Sequence, residues 1–488
     1  MKNWIRPQLK KGLATVRTLL FLLVFFIAVF IYSLWIDVSK FSVQKLTNVI
    51  IPQKHQTPTI TRKLEFPLNC VIKNQTQTCP TNYPKTCKTE DQEDISSKPE
   101  CPNYFRWIHE DLRPWNATGI SRDMVERAKT TAHFRLIIVE GKAYLDKYKK
   151  SIQTRDTFTI WGILQLLRRY PGKIPDLELM FDCDDRPVIQ SSDYRGPNKT
   201  GPPPLFRYCG DKAEINIKPW EKVLIDVREG NNRSRWIDRE PYAYWKGNPF
   251  VAETRKDLLT CNVSDQQDWN ARLFIQDWIL ESQQEFKQSN VANQCTHRYK
   301  IYIEGYAWSV SEKYILACDS VTLLVTPHYY DFFTRSLKPV EHYWPVREND
   351  KCKSIKFAVD WGNKHKQKAQ EIGKAASDFI QERLKMDHVY DYMFHLLNEY
   401  AKLLKFTPQV PDGATELCSE IMACSADGLE RKFMMESLVK SPSTTSPCTM
   451  PPPYKPQILQ DFYRKQSNAA RQVEKWENGY WESLNKKQ

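Results

Sequence analysis

The chain has 488 residues and carries 71 Lys and Arg against 58 Asp and Glu, a formal net charge of +13. That length exceeds what one hydrophobic core ordinarily holds, so two lobes are expected. Acids and bases are interleaved along the chain; combined with the lumenal placement argued next, this excludes nucleic acid as a natural partner and favours anionic sugar nucleotides or acidic polysaccharides.

Residues 1–18 hold Lys2, Arg6, Lys10, Lys11 and Arg17 and no acid, and residues 19–36 are an unbroken apolar run. A run of this length suits a hydrocarbon core, and no small-residue cleavage site follows it. The reading is a cytosolic tail, an uncleaved transmembrane anchor at 19–36, and everything beyond it lumenal. Residues 37–66 lack an apolar period and read as a stem. A short span of this kind is expected to sort to a Golgi or endoplasmic reticulum membrane. Sequons at Asn74, Asn116, Asn198, Asn232 and Asn262 all fall on the lumenal side. So do the thirteen cysteines, of which Cys70, Cys79, Cys87 and Cys101, and later Cys418, Cys424 and Cys448, suggest disulfide staples in an oxidising compartment.

Ser121 followed by Arg122-Asp123 and an apolar period predicts a capped helix, and Phe134 to Val139 a strand. Thr157 to Tyr170 carries apolar residues at helical spacing and ends at Pro171-Gly172. Leu177, Leu179 and Phe181 then predict a strand running into Asp182, Asp184 and Asp185. Strand, helix, strand implies a crossover unit and an α/β lobe. Acids at the carboxyl end of such a strand lie where ligands bind. Three carboxylates this close raise one another's proton affinity, so one can serve as a base while Arg186 holds another ionised. The same residues also describe a solvated acidic turn after a core strand.

Tyr244-Trp-Lys-Gly-Asn-Pro249 predicts a strand and a tight Gly turn before a helix at Glu253, where backbone N–H groups could hold phosphate with Lys246 and Arg255 adding charge. Tyr299 to Ile303, the turn Glu304-Gly-Tyr-Ala-Trp-Ser309, a helix over Glu312 to Ala317 and a strand over Ser320 to Val325 repeat the logic in a second lobe. The last third reads as helical, ending in a helix over Asp461 to Glu482.

Cys101-Pro-Asn-Tyr-Phe-Arg-Trp-Ile-His-Glu-Asp-Leu112, Ile120-Ser-Arg122, Pro204-Leu-Phe-Arg-Tyr-Cys-Gly-Asp211, Tyr244-Trp-Lys-Gly-Asn-Pro249 and Glu304-Gly-Tyr-Ala-Trp-Ser309 together resemble the Rumi-like protein O-glucosyltransferases, particularly their plant branch. The resemblance implies a GT-B fold of two Rossmann-like lobes, divided as an acceptor-side lobe at 67–230, a donor lobe at 231–405 and a helical extension at 406–488. It implies a UDP-sugar donor, glucose or xylose, a glycoprotein or cell-wall glycan acceptor, inversion at the anomeric carbon, and no cofactor or metal. Asp185 matches the family's base. Lys246, Gly247, Asn248, Arg255, Gly305, Ser309, Ser311 and Lys313 fall on its donor turns, with Ser311 standing where relatives carry an Arg and Lys313 a substitute for it. Glu110 and Asp111 are candidate acceptor contacts. An aromatic stretch common in relatives is missing after Asp211. Two rivals stand beside this reading: a GT-A-like transferase holding a divalent ion with Asp182-x-Asp184, and a catalytically inactive lumenal binding or scaffold protein.

Overall fold

The computed structural model describes residues 65–70, 78–80, 99–194, 201–207, 218–284, 286–307 and 309–486. The expected tail, the 19–36 anchor, the sequons Asn74 and Asn198 and the junction after Asp211 lie outside them. Among the described residues no helix is long and apolar enough to cross a membrane.

Two short helices, Trp107–Leu112 (α1) and Arg122–Ala128 (α2), lead into the first sheet. Ser121 caps α2 as expected, its Oγ accepting from the Met124 N–H at 3.3 Å. Phe134–Val139 (β1) turns straight back into Lys142–Lys147 (β2) through Glu140 and Gly141. Both turn residues have positive φ, 49° and 74°, a backbone whose twist matches a hairpin. Helix Arg155–Arg169 (α3) then crosses to Leu177–Asp182 (β3), every residue of which is buried. Phe206–Arg207 (β4) pairs parallel to β3.

The crossover is not the one expected. β1 and β3 are antiparallel, because the Glu140-Gly141 hairpin inserts β2, and α3 joins β2 to β3 across β1. The first lobe is therefore a mixed sheet, not a Rossmann-like parallel one.

The second sheet follows Trp220–Arg233 (α4). It runs through Glu240–Gly247 (β5), Glu253–Leu258 (α5), Ala271–Ile275 (β6), Trp278–Gln283 (α6), His297–Tyr302 (β7), Ser311–Ala317 (α7), Val321–Val325 (β8) and Trp344–Val346 (β9). All its pairings are parallel and its order is β6-β5-β7-β8-β9. Continuous runs such as Val321–Val325 are buried on both faces, as a covered parallel sheet demands. The chain reverses its direction of travel between β5 and β7, and the carboxyl ends of those two strands flank the crevice where such sheets bind ligands.

One buried charge inside this sheet has a measurable consequence. Lys300 on β7 donates from Nζ to the Gln294 carbonyl at 2.8 Å and lies 5.6 Å from the centre of the Tyr244 ring. Burial, assisted by the charge of Arg239, pulls its ammonium down to about 7. A depressed lysine costs nothing where both states are neutral, and stability is lost as pH falls from the ordinary lysine range toward 7. Lys300→Met is expected to stabilise the protein at pH 7 by a few kcal/mol, on the order set by a shift of this size. The gain in thermal midpoint should shrink between pH 7 and pH 10; a gain independent of pH would contradict the assignment.

Helices Lys351–Lys364 (α8), Lys366–Asp378 (α9) and Met386–Leu403 (α10) follow. The stretch expected as a helical extension also supplies a strand, Thr415–Leu417 (β10), which completes the first sheet in the order β10-β2-β1-β3-β4. After it come Ser419–Ser425 (α11), Gly428–Glu436 (α12) and the long Pro456–Asn485 (α13). The early cysteines pair with the late ones, Cys70 with Cys424, Cys79 with Cys418 and Cys101 with Cys448, over separations of 354, 339 and 347 residues. Loops this long gain most from cross-linking in the chain-entropy account. Cys261–Cys352 and Cys295–Cys318 staple the second lobe, and Cys183 is a buried thiol pushed up to about 12 by desolvation. α13 spans both lobes: its Phe462 and Tyr463 rings lie near Trp107, while its Tyr480 hydroxyl donates to Asp360 at 2.6 Å.

Candidate active site

β3 delivers Asp182 into the interior, where it is fully buried, and the chain then turns outward through Asp184, Asp185 and Arg186. A guanidinium from the neighbouring strand holds this turn together. Arg207 on β4 bonds the Asp182 carboxylate and donates to the backbone carbonyls of Asp184, Asp185 (2.9 Å) and Arg186 (2.6 Å). With three carbonyls drawn inward, the turn is pinned from behind.

Asp182 also accepts from the Asp184 N–H at 2.9 Å. Desolvation still raises its pKa, against the lowering by that N–H and by Arg207. His133 lies beneath, its Nδ1 accepting from the Cys183 N–H at 3.1 Å. Its other ring nitrogen, Nε2, faces Asp184 at 3.7 Å. Asp184 and Asp185 are both part-exposed, Asp184 the more so at 47% of its side chain, and Asp185 is the one that a buried arginine holds. Its Oδ1 accepts from Arg155 at 2.7 Å, its side chain is 37% exposed, and Arg155 is itself buried at the start of α3, where it also donates to the Cys183 carbonyl at 2.8 Å. The expectation that Arg186 pairs with one of the acids is therefore corrected: Arg155 and Arg207 pair with them, and both were missed. A basic residue opening the helix before an acidic strand was the available signal for Arg155.

At the switch point, the first turn is built by Asn248, whose Oδ1 accepts from the Phe250 N–H at 2.9 Å and so caps a short 3-10 turn, Pro249–Val251. That N–H was among those expected to hold phosphate; the protein has already used it. Lys246 and Gly247 end β5, and the Gly247 carbonyl accepts from Gln276 at 2.8 Å. Arg255 is buried and braces the strand ends: Nε donates to the Glu304 carbonyl (2.9 Å), one terminal nitrogen to Ile303 (3.1 Å) and the other to Asn248 (3.3 Å). Desolvation pulls it down to about 10, so it stays charged at neutral pH, directly behind Gly305.

In the second turn the Ser309 N–H donates to the Tyr302 hydroxyl at 3.2 Å, and the Ser309 and Ser311 hydroxyls are 2.9 Å apart. Lys313 points to the flank, its Nζ 5.0 Å from the Trp220 ring centre. The Glu304 carboxylate is buried and accepts from the backbone N–H groups of His328 (2.9 Å) and Tyr329 (2.7 Å), tying the ends of β7 and β8 together.

The two turns meet. Arg186 leaves the acidic turn, lies with its guanidinium 4.1 Å from the Tyr306 ring centre, and donates from Nε to the Tyr306 carbonyl at 3.1 Å. An acid facing outward from one lobe thus stands beside the switch point of the other. Over residues 96–477 the chain matches glycosyl transferase family 90. The chain belongs to that family. It is a glycosyltransferase. It is similar to Protein O-glucosyltransferase 1 of Bos taurus, 25% identical over 361 residues that cover 67% of this chain and 86% of the relative. The Homo sapiens protein of the same name is 25% identical over 348 residues, 65% and 84% of the two chains. O-glucosyltransferase rumi of Drosophila melanogaster is 20% identical over 370 residues, 70% and 85% of the two.

The acids proposed for the acceptor are differently employed in this family 90 chain. Asp111 pairs across the lobes with Arg335 at 2.7 Å, and Glu110 with Arg113 at 3.3 Å. Burial raises the pKa of Asp111, and Arg335 acts against that. Of the described sequons, Asn116 and Asn232 are exposed, whereas the Asn262 amide bridges both backbone groups of Leu273, accepting at 3.0 Å and donating at 3.4 Å.

Proposed function

We propose that this family 90 glycosyltransferase moves a sugar from a UDP-sugar to an acceptor hydroxyl by direct displacement with inversion, in a two-lobed GT-B arrangement that requires no metal. The observation that carries this reading is the outward-facing Asp185 next to the Arg186–Tyr306 contact at the switch point. The names of the bovine, human and fly relatives support glucose as the sugar and a protein as the acceptor; xylose and a cell-wall glycan are the alternatives kept from the sequence. The lobes are proposed to be lumenal, tethered by residues 19–36 to a Golgi or endoplasmic reticulum membrane.

In this mechanism Asp185 takes the proton of the acceptor hydroxyl as its oxygen bonds to the anomeric carbon, and the bond from that carbon to the phosphate oxygen breaks to release UDP. Arg155 orients the carboxylate and Arg207 fixes the backbone that carries it. The metal-dependent rival draws on His133, Asp182 and Asp184, whose ligand atoms lie within 4.8 Å of one another. Asp182 already carries the Arg207 guanidinium, however, and a second cation against the same carboxylate meets charge repulsion. That pairing is what speaks against the metal reading.

The test is thermal unfolding of the full-length chain in detergent against a panel of UDP-sugars, with EDTA or with Mn²⁺. One UDP-sugar is expected to raise the midpoint in EDTA, by the equivalent of about 2.7 kcal/mol at a hundredfold excess over Kd. Stabilisation confined to Mn²⁺ would favour the metal reading, and a folded protein that no nucleotide sugar stabilises would remove the transferase reading.

A further inference from the structure

We infer that Arg186 is the cation that takes the diphosphate of the donor, reaching it from the lobe opposite the donor turns; this rests on the UDP-sugar reading above. Departure of UDP places negative charge on phosphate oxygens, and preorganised cations at that position are commonly the largest catalytic contribution. Three of the donor lobe's own candidates, Arg255, Ser311 and Lys313, are turned to other work. Arg255 gives N–H groups to three carbonyls and stands behind Gly305. Ser311, where relatives carry an Arg, bonds Ser309, and Lys313 lies against Trp220.

Arg186 has the opposite character. It is exposed, and only its Nε and the face of its guanidinium are engaged, both by Tyr306; among the described residues its two terminal nitrogens have no partner. Stacking holds the guanidinium plane against the ring and leaves the terminal N–H groups directed from its edge, the fork that matches phosphate oxygens. The residue that follows Tyr306's predecessor Gly305 is therefore a platform for a cation supplied by the other lobe.

Placement along the reaction coordinate agrees. A base sits about 3 Å from the hydroxyl it deprotonates, and that oxygen about 3 Å from the carbon it attacks. The leaving oxygen lies on the far side of that carbon. A cation assisting departure must reach past the sugar from near the base toward the donor turn, and Arg186, adjacent to Asp185 and resting on Tyr306, spans that interval. The Arg207 bonds to the Asp185 and Arg186 carbonyls fix the base and the cation on one rigid backbone. Tyr306 acts as a positioning residue: its carbonyl serves whatever its side chain, while its ring holds the guanidinium flat.

The experiment is calorimetric titration of the full-length chain in detergent with UDP, UMP and uridine. Arg186→Ala is expected to weaken UDP by about 10- to 100-fold, the effect of losing a charge-assisted phosphate contact, and to leave uridine within about twofold. Arg186→Lys should recover part of the loss. Tyr306→Phe should bind UDP as the unaltered protein does, and Tyr306→Ala should lose about three- to tenfold. UDP binding unchanged in Arg186→Ala overturns the inference, as does an equal loss of uridine, which would mean a structural role. An unaltered protein that binds neither UDP nor uridine would instead defeat the UDP-sugar reading itself.

Discussion

Asp185→Asn is expected to lower the rate of transfer at saturating donor by about 10² to 10⁴, the usual contribution of a positioned base, with donor affinity held within about twofold. The amide keeps the shape of the carboxylate and retains an oxygen for the Arg155 N–H that now bonds Oδ1 at 2.7 Å. The turn behind it is held by carbonyl bonds to Arg207 that the substitution leaves alone. What is lost is the capacity to accept a proton, so the change should fall on kcat and not on KM. Asp184→Asn is the control: Asp184 faces His133 and donates its backbone N–H to Asp182, and it lacks the Arg155 contact that orients Asp185. A loss as large in Asp184→Asn as in Asp185→Asn, or a near-normal rate in the latter, would take the base away from Asp185.

The largest expected effect on stability is at Glu178, the second residue of β3. Its carboxylate is fully buried, bonded by the equally buried Arg135, approached by Arg122 at 3.5 Å, and accepts from the Gln409 N–H at 2.9 Å. Arg135 also reaches Glu126 at 2.9 Å. Glu178→Ala leaves a buried guanidinium without its main partner and should cost about 3–5 kcal/mol. The interesting comparison is the double change Arg135→Met with Glu178→Met, which removes both charges. Buried pairs replaced whole by apolar residues are often near neutral, so the double variant should be more stable than Glu178→Ala alone. The measurement is the urea midpoint at unchanged slope. A double variant that falls as far as the single one would show that the network contributes more than the cost of an orphaned charge. Since β3 carries Asp182 and leads into the acidic turn, loss of the network should also reduce activity before global unfolding.

Local order was legible because it is written in neighbouring residues. The strand over Phe134 to Val139 has the bounds its apolar run implied, and the helix after it, the acidic strand, and the strand, turn and helix around Glu304-Gly305 fall within a few residues of their expected places. Pro and Gly breaks and the switch between periods of two and 3.6 residues carry that information. The three acids at the end of β3 and the two turns at 247–249 and 304–309 were legible in the same way, since each is a contiguous motif at a strand end; the choice of Asp185 among the acids came from the family resemblance.

Three things lay beyond that reach. The Glu140-Gly141 hairpin was missed because its signal is a pair of positive φ angles in a two-residue loop, and missing it reversed the relation between β1 and β3. The partners of Cys70, Cys79 and Cys101 lie more than 330 residues away, a distance across which spacing says nothing. The roles of the arginines were the third. Sequence alone determined the α/β class, the two lobes' punctuation and the carboxylates at the end of β3. Tertiary structure decided that Arg155 bonds Asp185, that Arg207 pairs with Asp182, that Arg255 braces backbone, and that Arg186 reaches the other lobe. The reason is physical: a guanidinium on a long flexible stem takes its role from whichever carbonyls, rings and carboxylates the fold brings within hydrogen-bonding distance, and those come from distant parts of the chain.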